Sequence, residues 1–146
     1  MHHYFPAKED LTLEVAQCSK KQFLASLATF DAECQSPKDK LQSYCDLFIN
    51  LFQASELSCP FGVLFTESHQ LPDSVKQVVL SFVAESISWL EIVLKEIHSD
   101  DKQSSQHRGK AEMIFCSIEA AMGVATLQGD KETLVNICDI VMGLVE

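Results

Sequence analysis

Apolar residues recur every three to four positions along most of this chain, a spacing that predicts helices rather than strands. Over residues 8–30 the recurring positions are Leu11, Val15, Cys18, Phe23, Leu27 and Phe30, with Lys20 and Lys21 interrupting only the outer face. Pro6 biases Phe5 away from the helical region, so one element ends there. Acidic Glu9 and Asp10 suit the positive end of the next. Ala7 stands in its N-cap place, where the missing side-chain oxygen forgoes about 1 kcal/mol. Ser36 as N-cap, Pro37 in the first turn and Asp39 behind it open a second helix. That helix carries Leu41, Tyr44, Cys45, Phe48, Leu51 and Phe52 and runs to about residue 55.

A short apolar element over residues 58–67 follows, before the break at Leu71-Pro72. Pro60 fits its first turn, and Gly62 removes a side chain where a neighbour must approach closely. Residues 72–98 form the longest predicted helix, with Val75, Val78, Val79, Phe82, Ile87, Leu90, Leu94 and Ile97 on or near one face. Residues 99–107 read as a polar surface loop. Two closing helices follow. The first covers residues 110–127 with Ile114, Phe115, Ile118, Met122 and Ala125. The second opens after Gly129 with Asp130 as N-cap and carries Leu134, Ile137, Cys138, Val141, Met142 and Val145. No segment repeats at the spacing of a solenoid.

Length and charge narrow the picture. A chain of 146 residues is one domain by size, and buries roughly 70% of its unfolded surface. Five glycines and four prolines are too few for a turn-rich β fold. The net charge of −10 makes the chain a poor partner for nucleic acid or an anionic membrane, and no basic footprint of a DNA-binding unit is present. Six cysteines contain no Cys-x-x-Cys pair and fall mostly inside apolar stripes, so reduced, mostly buried thiols are expected rather than disulfides. Nothing at the N-terminus reads as a signal peptide, and no unbroken apolar run approaches the roughly 20 residues of a membrane span. The expectation is a cytoplasmic protein with no membrane partner.

Catalytic chemistry has no foothold. Histidines 2, 3, 69, 98 and 107 make no His-x-x-x-His or Glu-x-x-His pair, so no metal is expected. His98 and His107 read as solvated, at a helix end and in a loop, and His69 as a cap of the short central helix. There is no nucleophile elbow and no glycine-rich phosphate loop, and Asp100-Asp101 is solvated loop charge. An enzyme is not expected, nor a cofactor.

What remains is apolar surplus. Phe48, Phe52, Phe61, Phe65, Phe82, Trp89 and Phe115 come from four predicted helices. They form either an ordinary core or the apolar wall of a small-molecule cavity, for which Tyr44, Cys45, Ser86, Trp89 and Glu112 would be the orienting polar groups. The last helix is apolar on more than one side, exceeding the roughly 100° stripe that faces a single core. It is either wholly buried or meets another subunit. The small-residue segment around Ala121, Gly123 and Ala125 would let helices close up there, and Val135, Ile140, Val141 and Leu144 would complete the contact.

The stretch Phe5-Pro6-Ala7-Lys8-Glu9-Asp10-Leu11, preceded by aromatics, resembles the junction between the DNA-recognition helix and the following helix of TetR-family transcriptional regulators. Ser58-Cys59-Pro60-Phe61-Gly62 resembles that family's Gly-Cys-x-x-Gly central helix, with Ser58 in place of the first glycine. The resemblance implies an all-α, antiparallel bundle of about six helices. Residues 1–10 would be the remnant of a DNA-binding head most of which is missing, and residues 11–146 an effector-binding and dimerisation domain. It implies His2 at a position usually held by tyrosine near the DNA backbone, and Lys8 as the phosphate-facing lysine. It also implies a homodimer through the last two helices, a small apolar or amphipathic effector, and operator DNA as partner only if the head is present. The regulator would be a repressor. The alternative is a head-less helical interaction protein that dimerises without binding DNA.

Overall fold

The computed structural model describes residues 6–55, 68–99 and 106–145. Among them are five α-helices, one 3₁₀ turn and no strand. They are α1 (Pro6–Glu33), α2 (Pro37–Ser55), the 3₁₀ turn Ser68–Gln70, α3 (Asp73–Ile97), α4 (His107–Gln128) and α5 (Glu132–Gly143). The all-helical expectation holds. The third predicted helix, with Cys59, Phe61, Gly62 and Phe65, lies outside the described residues, as does His2.

Local sequence explains most boundaries. The Asp39 backbone N–H donates to Ser36 Oγ at 3.1 Å, so Ser36 caps α2 as its position before Pro37 predicts. Gly129 ends α4 in the left-handed region at φ 74°, and its N–H donates to the Ala125 carbonyl; a side chain there would be strained. Two expected caps move. Ala7 lies inside α1, which begins at Pro6, where a missing N–H does no harm. Lys131 occupies the cap place of α5, although Asp130 Oδ1 still accepts from the Glu132 N–H at 3.1 Å.

Helix α3 is the centre of the fold, packed against α1, α2 and α4, while α5 packs on α4 and α2. Its buried face comprises Val75, Val79, Phe82, Ser86, Ile87, Leu90, Val93 and Leu94. A helix with neighbours on several sides must be apolar round much of its girth, and α3 is long and apolar enough, by length and composition, to cross a membrane. Counting unbroken apolar runs misses that property. Within this fold 39% of that apolar window is buried against protein neighbours, and Leu80 and Ile92 stay exposed.

Helix α1 keeps the expected Phe23, Leu27 and Phe30 inward but departs from the expected stripe in its first half. Leu11, Val15 and Cys18 are exposed, and the inward set is Leu13, Ala16, Phe23 and Leu27. At the other end, the Lys40 ammonium lies 3.2 Å from Glu96 and 3.6 Å from Asp31, and Trp89 Nε1 donates to Asp31 at 3.0 Å. This network ties α1, α2 and α3 together. Burial opposes the Lys40 charge, but the bonds to Glu96 and Asp31 outweigh it and hold the ammonium above its usual range.

His107 corrects the loop expectation. It is the first residue of α4, only 2% exposed, and its ring lies parallel to His98 with centroids 6.2 Å apart. The helix begins three residues earlier than the apolar pattern suggested, because an imidazole can be hidden as an amphipathic ring. The cysteine expectation also needs correction. Cys45 and Cys138 are buried, Cys34 is half-buried, and Cys18 and Cys116 are exposed free thiols.

Candidate functional site

Two parts of the fold carry the residues singled out by sequence. The first is an aromatic cluster to which four helices contribute. From α1, Phe23 meets Phe82 at 5.0 Å, Phe48 at 5.7 Å and Tyr44 at 6.2 Å between ring centroids, all edge-on. From α2, Tyr44 stacks on Trp89 at 5.8 Å and meets Phe48 at 5.1 Å. Phe82 of α3 reaches Phe115 of α4 at 5.8 Å. Edge-to-face and offset arrangements of this kind suit the ring quadrupoles.

The cluster brings together Tyr44, Phe48, Trp89 and Phe115 of the expected ligand set. Phe52 and Cys45 are buried on the same helix as Tyr44 and Phe48. Phe61 and Phe65 lie outside the described residues. Glu112 is exposed, which corrects its expected place in an internal cavity: it falls on the outer side of α4 next to the inward Ala111. The residue that sequence reasoning undervalued is Phe23, whose ring touches three others. Its spacing to Leu27 and Phe30 was visible, but nothing marked it as the meeting point.

Ser86 is the polar feature of this region. It is fully buried on α3 between the turns of Phe82 and Trp89, and its hydroxyl has no hydrogen-bond partner among the described residues. A buried hydroxyl left unpaired costs about 1–3 kcal/mol. Cys45 lies against Cys138, whose thiol faces the Cys45 carbonyl at 4.0 Å. The contact with Cys138 and burial together hold the Cys45 thiol well above its usual range, so it stays protonated.

The second part is the outer surface of α4 and α5. Along α4, Met113, Cys116, Ala120, Val124 and Leu127 follow one another at three- and four-residue spacing, all exposed, with Leu127 90% so. On α5, Ile140 is 61% and Leu144 45% exposed, with Val135 and Ile137 half-buried. The expected pairing surface therefore divides. Ile140 and Leu144 are exposed on the outer side and Val135 is half-buried, whereas Ala121 and Val141 are buried within this chain. Val141 shares the stripe of Leu134 and Cys138, and Ala121 that of Ile118, Met122 and Ala125, which turns both inward. A side chain added at Gly123 would meet open space, so that glycine answers no close approach inside the protomer.

No protein-family profile matches the sequence. No curated protein sequence matches it either. Solved structures do match. A crystal structure of a TetR transcriptional regulator from Legionella pneumophila superposes with a TM-score of 0.87 at 25% identity, over 99% of this chain and 77% of that one. The chain is TetR-like. A TetR-family transcriptional regulator from Agrobacterium tumefaciens shares the fold with a TM-score of 0.82 at 22% identity, over 97% of this chain and 76% of that one. The TetR-like fold agrees with the resemblance first read at Phe5-Pro6 and Cys59–Gly62. It thus spans nearly the whole chain rather than two short motifs. Residue Lys8 falls in the first turns of α1 of this TetR-like chain.

Proposed function

We propose that this chain is the effector-binding and dimerising body of a transcriptional regulator, acting in the cytoplasm as a repressor. The observation that carries the proposal is the match in fold to TetR-family regulators over 97–99% of the chain. Two local features support its parts. The outer apolar stripe of α4 and α5 suits a two-fold contact in which one patch meets itself. The aromatic cluster, with the buried, unpaired Ser86 hydroxyl on the helix that carries Phe82 and Trp89, suits a small apolar or amphipathic effector with one hydrogen-bonding group. Operator DNA is a partner only of a chain that carries a helix-turn-helix, because a net charge of −10 opposes phosphate contacts.

Helix α1 connects the parts. It supplies Phe23 to the cluster and runs 28 residues, about 42 Å, to Pro6. An effector that binds one arrangement of the cluster better than another shifts α1 toward that arrangement. A thermal-shift screen over apolar and amphipathic compounds tests this, with Trp89 fluorescence as the local readout. A saturating effector at a hundred times its dissociation constant raises stability by about 2.7 kcal/mol. If no compound moves both signals, the cluster is plain core.

A further inference from the structure

A groove of about 420 Å³ lies between α1 and α3, lined by Gln17, Lys20, Lys21, Leu24 and Val78. None of these residues belongs to the aromatic cluster. Leu24 and Val78 are half-buried against the core and give the groove an apolar floor. The two lysines differ. The Lys20 ammonium is committed, 2.7 Å from Ser81 Oγ and 3.0 Å from Glu85. Lys21 is exposed and forms no ion pair among the described residues. In a chain with 21 acidic and 11 basic residues, that leaves an uncompensated positive charge beside an apolar floor.

We propose that this groove binds a medium-chain alkyl carboxylate, its chain along Leu24 and Val78 and its carboxylate at Lys21, with the Gln17 amide as a second donor. The apolar floor accounts for the alkyl body, since burying each methylene is favourable. Charge complementarity accounts for the anionic end. A neutral alcohol of equal length keeps the first contribution and loses the second, and an alkylammonium meets repulsion. The site stands apart from the effector reading, because the two share no residue.

Calorimetric titration of the full chain with octanoate, 1-octanol and octylammonium tests the proposal. Octanoate binds about fivefold tighter than octanol, as one partly screened ion pair allows, and octylammonium binds more weakly than octanol. Raising the ionic strength narrows the gap between octanoate and octanol. Lys21→Glu, on an exposed helix face, reverses the order of octanoate and octylammonium and leaves octanol unchanged. Trp89 fluorescence stays constant throughout. Equal affinities for octanoate and octanol overturn the proposal. So does an octanoate preference that survives Lys21→Glu, and so does a Trp89 response that saturates with octanoate, which would move the ligand into the aromatic cluster.

Discussion

On the inner flank of α5, Leu134, Cys138, Val141 and Val145 are closed off at 0–3% exposure, whereas on its outer flank Ile140 and Leu144 stand 61% and 45% exposed. The side chains on the two flanks are of one kind. What separates them is a rotation of roughly 100° about the helix axis: the inner set lies on the side covered by α2 and α4, and the outer set is left largely exposed. Apolarity in a sequence states that a residue favours burial, but not which chain provides it. The aromatic cluster shows the satisfied case, with rings from α1, α2, α3 and α4 in mutual contact. The outer flank shows the unsatisfied one, with apolar side chains exposed along the helix.

The sharpest way to separate the regions is to damage each in turn. Phe82→Ala removes a fully buried ring that touches both Phe23 and Phe115, and urea unfolding should show a loss of about 3–5 kcal/mol. Val141→Asp places a carboxylate at a position 3% exposed, and should cost several kcal/mol and the cooperative fold with it. Its neighbour Ile140→Asp should instead keep the helical circular dichroism and lose only the partner subunit. If the two variants behave alike, the division of α5 into inner and outer flanks is wrong.

Smaller effects probe the satisfied end. Ser36→Ala deletes the acceptor of the Asp39 N–H and should lower stability by about 1 kcal/mol. Lys40→Met breaks the bridge to Glu96 and Asp31, for at most about 1 kcal/mol. The sign of its pH dependence is fixed by the raised Lys40 value. The stabilisation is fully present below the ordinary lysine value of 10.5 and disappears as pH rises through the higher folded one. Parent and Lys40→Met stability curves should therefore run parallel at neutral pH and converge only in strong alkali. The mildest probe is alkylation under native conditions, followed by peptide mass mapping. Cys18 should label at once, Cys116 on the outer stripe of α4 only when the partner is lost, as in Ile140→Asp, and Cys45 and Cys138 only on unfolding.

Much of this was legible before the fold was known. The cap at Ser36, the glycine stop at Gly129 and the inward face of α3 are local patterns, and local physics fixed them. The first half of α1 misled because Leu11, Val15 and Cys18 keep helical spacing as well as Leu13 and Ala16 do, and only the direction of α3 decides between the two stripes. His107 misled because polarity suggested a loop, whereas burial of its ring depends on where His98 lies. In the candidate site the aromatic residues could be chosen from composition. Their meeting at Phe23, the isolation of the Ser86 hydroxyl and the outward turn of Glu112 are tertiary facts that no spacing rule contains.

The account stands or falls most directly on the outer flank of α4 and α5. Light scattering on the unmodified chain at micromolar concentration, alongside Ile140→Asp, measures it. The account predicts a mass of twice 16.3 kDa for the parent and 16.3 kDa for the still-helical variant. A parent mass of 16.3 kDa across the micromolar range would contradict it.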